Sequence, residues 1–257
     1  MNQNAQIRFQ DFFTEDRYVL MKNDLYNYRL RRRAVDKVMR GENREWVLET
    51  GSGISPMVTG SKRILYSDLS FTAMQILRKN TPAGHFVVAD TMNLPFKQGV
   101  FSHVVCSEVL EHLPEDRRAL LEIHSVLKKA GLLVLTFPHR NFYFAMDDLY
   151  VGHYRRYELR RMLDLLAESG YSAKVVRKVL GPLEKITMLA VVYVISKLRG
   201  GHSGVSSGKR GWIRRHCLRV FRWVNSLYAC LAWLDARMTP LALSTVLLIG
   251  AVKRADE

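Results

Sequence analysis

An apolar segment that runs into two glycines is the feature that most constrains the fold of this chain. Residues 46–55 read Trp-Val-Leu-Glu-Thr-Gly-Ser-Gly-Ile-Ser. A buried strand followed by a glycine turn lets an α/β domain bring its backbone close to a nucleoside-bearing ligand, because glycine has no Cβ and adopts positive φ. The third glycine of the dinucleotide fingerprint is absent, since Ser55 and Pro56 stand where the helix should begin. The turn alone therefore predicts a cofactor without identifying it.

Short apolar runs alternate with helical patterns from this turn to the middle of the chain. Helical patterns at residues 71–79 and 117–129 give the strand–helix–strand signature of a parallel sheet. Only about nine residues separate Gly53 from the next run, fewer than the dozen or so that a crossover needs, so we expect a short or irregular first helix. The runs that predict strands are residues 46–48, 64–66, 86–89, 104–106 and 132–137.

The second half of the chain completes an α/β fold. A helix at residues 157–169, closed by Gly170, is followed by strands near 173–179 and 244–252. We predict a Rossmann-like, seven-stranded, mostly parallel sheet with helices on both faces, preceded by a helical pattern at residues 14–40. The predicted divisions are an N-terminal helical cap (1–41), a cofactor-binding core (42–180), a helical insertion before the last strand (181–241) and a closing strand (242–257).

Charge distinguishes the insertion from the core. The chain carries a formal charge of +15, which predicts an anionic partner such as a membrane surface, nucleic acid or a phosphorylated substrate. No acidic residue occurs between Glu184 and Asp235. Within residues 212–234, arginines fall beside an apolar stripe, which predicts a basic amphipathic helix. Either residues 185–234 contact an anionic membrane or the stripe packs on the core, and nucleic acid is disfavoured. The stripe consists of Ile213, Cys217, Val220, Val224, Leu227, Leu231 and Leu234.

Other features bear on location and on metals. The polar N-terminus lacks a secretory signal, so we expect a cytoplasmic protein, peripheral to the inner face of the membrane if the insertion binds lipid. A glycine- and serine-rich stretch at residues 200–208 predicts a flexible linker. The three cysteines show no metal-ligand spacing, so no metal is predicted.

Acidic residues end the first three predicted strands, and they indicate the kind of cofactor. Asp68, followed by Leu69, can accept hydrogen bonds from both ribose hydroxyls. Asp90 precedes Thr91 and Met92, a combination that suits adenine. Asp68 could instead be a solvated residue at a strand end, and Asp90 could instead cap the next turn. Glu49 beside the glycine turn would repel a pyrophosphate and attract a cation. The three acids together therefore favour a cationic cofactor over a dinucleotide.

Several segments in this order resemble one family. Residues 47–53, Asp68 and residues 90–96, 101–113, 127–133 and 153–157 are similar to class I S-adenosylmethionine-dependent methyltransferases, nearest the ubiquinone and menaquinone methyltransferase-like (type 11) group. The resemblance covers about residues 45–180 and implies S-adenosylmethionine as the cofactor and S-adenosylhomocysteine as the product. It implies cofactor contacts from Glu49, Gly51, Ser52, Gly53, Asp68, Leu69, Asp90, Thr91, Met92 and Ser107.

Methyl transfer needs in-line positioning and, for an O or N acceptor, a route for the departing proton. His153 is the leading candidate base and His112 a rival, as is His139, and each could instead be structural. Glu111 is interpreted as a helix-start residue, and the pair 155–156 as a solvated or phosphate-facing patch. We expect a hydrophobic or lipid-linked small-molecule acceptor, reached through a lid of the N-terminal helix and the insertion. The alternatives are a soluble small-molecule methyltransferase and a non-catalytic membrane- or nucleic-acid-binding module on the same fold.

Overall fold

The sheet has seven strands in the order β3-β2-β1-β4-β5-β7-β6. The computed structural model describes residues 25–41, 45–81, 83–198 and 210–254. Strands β1 to β5 pair in parallel, whereas β7 runs antiparallel to both β5 and β6. The predicted mostly parallel sheet is thus confirmed. The strands are β1 (Val47–Thr50), β2 (Ile64–Asp68), β3 (His85–Val88), β4 (Phe101–Ser107), β5 (Leu127–Pro138), β6 (Tyr171–Leu180) and β7 (Val246–Lys253).

Helices cover both faces of the sheet, as predicted. One hydrophobic cluster packs α3 and α5 on one face, and a second packs α1, α2 and α7 on the other. Residues 51–63, between β1 and β2, form turns without a helix, which agrees with the short crossover that the sequence predicts. The helices are α1 (Tyr26–Met39), α2 (Phe71–Asn80), α3 (Asp116–Val126), α4 (Met146–Val151), α5 (Leu159–Glu168), α6 (Pro182–Leu198) and α7 (Arg210–Met238).

Two predicted helix boundaries differ from the structure. Helix α3 ends at Val126 and not at residue 129, because the backbone becomes extended at Leu127, which pairs with Phe101 at the start of β4. Helix α1 begins at Tyr26. The earlier part of the predicted helix, residues 14–24, lies outside the described residues. The predicted linker at residues 200–208 lies outside them as well.

The orientation of α7 is the main surprise of the insertion. Its buried face is small, with Ala229, Ala232 and Ala236 following Asn225 at spacings of four, three and four. Asn225 belongs to this face and accepts a hydrogen bond from the Tyr26 amide (3.2 Å). The alanines allow α7 to pack closely on α1 and β6. The large apolar residues of the described part of the stripe therefore face outward.

Exposed apolar side chains occur on three helices that contact one another in sequence, α4 with α6 and α6 with α7. Surfaces of this kind mark sites of interaction with partners or membranes. No helix within the described ranges is both long and apolar enough to cross a membrane. The exposed set is Met146, Leu149 and Tyr150 on α4, Ile186, Leu189, Val191 and Tyr193 on α6, and Trp223, Val224, Leu227, Leu231, Trp233, Leu234 and Met238 on α7.

Candidate active site

A cavity of about 1040 Å³ opens at the carboxyl ends of the parallel strands. Open α/β sheets bind their ligands at this edge. The volume lies at the upper limit of ordinary ligand pockets, about 300–1,000 Å³, so the cavity has room for a cofactor and a second small molecule. The predicted site residues that line it are Glu49, Gly51, Ser52, Gly53, Asp68, Leu69, Asp90, Thr91, Ser107, His112 and His153.

The glycine turn forms one end of the cavity, which we call the cofactor end. Gly51 and Gly53 both have positive φ, and a Cβ added at Gly51 would meet Val109 Cγ2 at 2.3 Å. The Gly53 amide donates to Asp68 Oδ2 (2.9 Å), and the Ser70 amide donates to Asp68 Oδ1 (2.9 Å). Asp68 thus ties the turn after β1 to the end of β2. The positive φ and the close approach of Val109 require glycine at position 51, and the hydrogen bonds of Asp68 hold the turn in place.

Glu49 is buried beneath the same turn. Its two carboxylate oxygens accept hydrogen bonds from the amides of Met57 (2.6 Å) and Val58 (2.9 Å), so it positions the loop between β1 and β2. Burial raises the pKa of Glu49 to about 8, against the lowering effect of these two hydrogen bonds. Glu49 also lines the cavity. Its predicted attraction for a cationic cofactor stays a prediction.

The segment after β3 closes the cofactor end. Asp90 Oδ1 accepts a hydrogen bond from the Met92 amide (2.9 Å), and the hydroxyls of Thr91 and Thr50 lie 2.6 Å apart. Asp90 and Thr91 line the cavity. Met92 is half-buried, packs against the hydrophobic core and is not among the lining residues. Its contact with adenine therefore stays a prediction that the geometry does not favour.

A strained residue follows β4. Glu108 has a φ of +54°, in the left-handed region of backbone conformation. Residues other than glycine seldom adopt this conformation, and those that do are frequent at functional sites. Its Oε1 accepts from the Thr136 hydroxyl (3.2 Å), which also contacts the Ser107 hydroxyl (2.8 Å). Its Oε2 lies 3.9 Å from an Arg31 nitrogen of α1. Glu108 also lines the cavity.

Charged side chains build the opposite end, which we call the acceptor end. Asp148 accepts hydrogen bonds from His153 Nδ1 (2.8 Å), Arg156 Nε (2.8 Å) and Lys185 Nζ (2.6 Å), and Lys185 also donates to Asp147 (2.6 Å). Burial alone would raise the pKa of Asp148, but these three donors outweigh it and hold the pKa below its usual range. Asp147, Asp148, Arg156 and Lys185 are all buried.

This network corrects two expectations about basic residues. Arg156 is buried against Asp148 and is not a solvated or phosphate-facing residue. Arg155 pairs with Asp116 (2.9 Å). Lys185 begins the segment 185–234 that the sequence predicts to contact an anionic membrane. The residue is only 5% exposed, and its ammonium is held between two carboxylates. Neither Arg156 nor Lys185 contributes to a basic surface.

The histidine candidates occupy different places. His153 and His112 both line the cavity, with ring centroids 4.7 Å apart. His139 is buried outside the lining, where its Nδ1 lies 2.8 Å from the Ser244 carbonyl oxygen, and burial lowers its pKa. The structure therefore brings His112 and His153 to the acceptor end and removes His139 from consideration as a base.

Glu111 lies behind the two histidines. Its side chain is fully buried, neither carboxylate oxygen has a hydrogen-bond partner, and Oε1 lies 3.8 Å from His153 Nε2. Burial raises the pKa of Glu111 well above its ordinary value, and the charge of Glu108 adds to this. The 3₁₀ helix Leu110–His112 holds Glu111, as expected for a residue near a helix start, but its buried position was not anticipated.

Sequence reasoning missed most of the acceptor end. Tyr28 and Arg31 reach the cavity from α1, and Glu184 and Met188 reach it from α6. Asp147 and Asp148 stand in an apolar stretch, a signal that could have drawn attention to them. Nothing in the sequence indicated that α6 would bring Lys185 to this pair.

Several known proteins are similar to this chain in sequence. Residues 48–135 match the family model of a methyltransferase domain. The chain is similar to the demethylmenaquinone methyltransferases of Thermotoga maritima, 31% identical over 41% of this chain and 48% of the relative, and of Streptomyces griseus, 28% identical over 42% and 48%. These matches span about half the length of the relatives.

Solved structures share the fold of nearly all of this chain at low identity. An S-adenosylmethionine-dependent methyltransferase from Thermotoga maritima has a TM-score of 0.61 at 16% identity, covering 97% of this chain and 100% of the other. The Haemonchus contortus phosphoethanolamine N-methyltransferase 2, solved with S-adenosylmethionine, has a TM-score of 0.57 at 15% identity, covering 96% and 60%. At such identities the likeness concerns the fold.

Proposed function

The chain carries a class I S-adenosylmethionine-dependent methyltransferase domain of the menaquinone methyltransferase-like group, with S-adenosylmethionine as its cofactor. We propose that it transfers the methyl group of this cofactor to a hydrophobic or lipid-linked small molecule. The observation that carries this proposal is the second half of the cavity. Beyond the cofactor end, the lining includes Leu149, Tyr150 and Tyr154, which are also among the exposed apolar side chains of the surface. An apolar acceptor can therefore contact the cavity and the exposed apolar surface at the same time.

The named relatives support the same acceptor class. Several of them are demethylmenaquinone methyltransferases, whose names give a quinone as the acceptor. A lipid-linked acceptor of this kind would consist of a ring and an apolar tail. A ring bound between the two ends of the cavity would leave its tail to run along α4 and α6. The buried charged side chains of the acceptor end would face the ring. Hydrogen bonds from them to the oxygens of the ring would orient the ring towards the methyl group.

His153 is the residue we propose as the base in this reaction. Asp148 accepts a hydrogen bond from its Nδ1, so the neutral ring carries its lone pair on Nε2. A carboxylate behind an imidazole also stabilises the imidazolium that forms when the ring takes a proton. The dyad therefore offers a proton route from an acceptor hydroxyl, while the oxygen attacks the methyl carbon and the methyl–sulfur bond breaks.

Methyl transfer from labelled S-adenosylmethionine to a matched pair of acceptors tests this function. The pair is a prenylated demethylnaphthoquinol and the same ring without its tail. We expect transfer to the prenylated molecule at a KM at least about tenfold lower, because each buried CH₂ contributes about 0.8 kcal/mol. Equal use of both rings would favour the soluble alternative. Binding of S-adenosylhomocysteine without turnover on either would contradict the proposed reaction.

Two variants test the base. His153→Gln should lower kcat by about 10²- to 10⁴-fold with little change in S-adenosylhomocysteine affinity, because it removes the proton acceptor but not the cofactor end. His85→Gln is the matched control, since His85 is exposed on β3 and does not line the cavity. A kcat in His153→Gln close to that of the control would rule out His153 as the base.

We further propose that the exposed stripe of α7 docks this chain on an anionic membrane, where a lipid-linked acceptor would reside. Leu227 and Leu231 are about half exposed, and Trp223 and Trp233 flank them. Basic side chains accompany these residues, including the exposed Arg222 and Arg237. Apolar and aromatic residues beside arginines are typical of helices that lie in the lipid interface.

Vesicle co-sedimentation tests the docking. Wild-type protein should bind vesicles with anionic lipid and bind neutral vesicles far less, and the double substitution Leu227→Glu with Leu231→Glu should abolish binding. Val88→Glu with Leu121→Glu is the control, because these residues are exposed and apolar but lie on β3 and α3. Equal binding by both double variants would place the membrane contact elsewhere, and negligible binding by the wild type would reject it.

A further inference from the structure

Glu111, His112 and His153 form a cluster whose donor atoms all lie within 4.8 Å of one another. Two hydrogen-bonded segments bring them together, because the Tyr154 amide donates to the Glu111 carbonyl oxygen (2.8 Å). Three ligands of a tetrahedral ion at about 2.1 Å would be separated by about 3.4 Å, so side-chain shifts of about 1 Å suffice to close the cluster on an ion.

Glu111 is the residue that calls for an explanation. Its carboxylate is fully buried, and neither oxygen has a hydrogen-bond partner. Buried polar groups are satisfied in the great majority of cases, and an unsatisfied one needs an explanation, such as a catalytic role, a water molecule or an ion. The His153 Nε2 is 3.8 Å from Glu111 Oε1, beyond hydrogen-bonding distance. A cation between the two would satisfy both.

The surroundings of the histidines match those of metal ligands. Asp148 accepts from His153 Nδ1 (2.8 Å), and the Gly152 carbonyl oxygen lies 3.4 Å from His112 Nδ1. Metal-bound histidines commonly direct their second nitrogen at a carboxylate or a backbone carbonyl, which fixes the tautomer and the ring orientation. Both histidines line the cavity whereas Glu111 lies behind them, so an ion here would keep a coordination position open to the cavity.

We propose that Glu111, His112 and His153 bind one divalent transition-metal ion at the wall of the acceptor end. Two imidazoles and one carboxylate suit Zn²⁺, Fe²⁺ or Co²⁺, and they suit Mg²⁺ and Ca²⁺ poorly, because those ions prefer sites built from oxygen atoms. The comparisons do not assign this site, and the cysteine spacing of the sequence gave no indication of it.

The open position gives the ion a role that rests on the proposed function. An acceptor hydroxyl bound there would lose its proton to solvent more readily, because the cation stabilises the resulting oxyanion. The oxyanion lone pair then forms the bond to the methyl carbon, and the methyl–sulfur electrons stay on the sulfur of S-adenosylhomocysteine. The role of His153 as a base therefore applies to the ion-free protein. While the ion is bound, His153 Nε2 is a ligand and the ion is the group that promotes proton loss.

Metal binding can be measured without turnover. Untagged protein stripped with a chelator is titrated with Zn²⁺ by calorimetry, and with Co²⁺ while its visible absorption is recorded. We expect one ion per chain and the absorption of a four- or five-coordinate Co²⁺ site. Glu111→Gln should weaken Zn²⁺ binding by at least about 100-fold, because loss of a direct ligand should exceed the 10- to 100-fold cost of losing an outer-shell partner.

Controls separate this proposal from the proposed function and from misfolding. Glu111→Gln is isosteric and breaks no hydrogen bond of the carboxylate, so it should still bind S-adenosylhomocysteine as the wild type does. His112→Gln should also lose Zn²⁺, whereas His85→Gln should keep it. Absence of Zn²⁺ binding in wild-type protein that binds S-adenosylhomocysteine would overturn the metal site alone. Undiminished binding in both Glu111→Gln and His112→Gln would overturn it as well.

Discussion

The two ends of the cavity are built in different ways. The cofactor end is formed mainly by the backbone. Its glycines have positive φ, and backbone amides donate to Glu49 and Asp68 within about 20 residues of chain. At the acceptor end, buried side-chain charges meet from α4, α6 and the segment after α4, up to 38 residues apart. The first depends on local conformation and the second on pairing of charges.

This difference predicts different responses to mutation. Backbone geometry tolerates charge changes but not added side-chain volume, since glycine alone fits both the conformation and the space. A buried ion network tolerates volume changes better than the loss of one partner, because a charge left unpaired in the interior is very costly. Three substitutions, ordered by the expected effect, examine this contrast.

The largest effect should come from Lys185→Met at the acceptor end. It removes the ammonium from between Asp147 and Asp148, leaving those buried carboxylates less well paired, so we expect a loss of about 3–5 kcal/mol in the free energy of unfolding. Urea denaturation measures this, with the exposed Lys97→Met as a control that should change it by less than about 0.5 kcal/mol. Below the midpoint, the folded protein should still bind S-adenosylhomocysteine. A loss no greater than that of the control would contradict the network.

A smaller effect should follow from Gly51→Ala at the cofactor end, with Gly60→Ala as its matched control. Both glycines have positive φ, but a Cβ at Gly60 meets nothing within 4 Å, so strain alone should cost about 1–2 kcal/mol there. At Gly51 the contact with Val109 should add about 1–3 kcal/mol and abolish S-adenosylhomocysteine binding.

The double variant Gly51→Ala with Val109→Ala separates the two causes in the same denaturation and calorimetry experiments. It should recover the part of the loss that comes from the contact and keep the part that comes from backbone strain. If Gly51→Ala and Gly60→Ala had equal effects, the close approach of the turn to Val109 would have no energetic importance.

The effect expected to be smallest for each unit of pH concerns Glu49. Its pKa is about 8 in the folded protein and 4.5 ordinarily, so between these values the folded chain holds a proton that the unfolded chain has lost. The free energy of unfolding should therefore fall as pH rises from about 4.5 to 8, by at most about 1.4 kcal/mol per pH unit from this group. Denaturation of the cofactor-free protein at several pH values should give a flatter profile for Glu49→Gln.

Glu184 shifts in the same direction, with burial raising its pKa to about 7, so part of the slope should persist in Glu49→Gln. Glu184→Gln therefore serves as the companion measurement, since it should remove a separate part of the profile below about pH 7. An unchanged slope in Glu49→Gln would mean that the carboxylate is ionised in the folded protein despite its burial.

The contrast between the ends also explains what could be predicted. Asp68 and Asp90 were placed at the site because a residue that ends a parallel strand must lie at one edge of the sheet, and both line the cavity. The pairing of Lys185 with Asp148 has no such local signal, because it depends on how α6 packs against α4. Burial of Glu111 behind His112 was likewise invisible in a run that reads as a helix start.

Helix α7 gives the same lesson on a single element. Its sequence period predicts a helix with distinct faces, and the helix Arg210–Met238 bears this out. The period does not say which face packs, and the large apolar stripe was an obvious candidate for the buried one. Instead Ala229 and Ala232 pack inward, because small side chains permit a close approach to α1, and Leu227 and Leu231 remain outside.

The sequence by itself determined the α/β class, the acidic residues that follow successive strands and the residues that build the cofactor end. These features follow from periodicity, glycine conformation and the alignment of parallel strand ends. Only the tertiary structure decided the acceptor end: the cluster of Glu111, His112 and His153, the ion network around Asp148 and the outward stripe of α7. Those features depend on contacts between segments that are distant in sequence. Packing and charge pairing fix the geometry of these contacts, and the contacts leave no periodic pattern in the sequence.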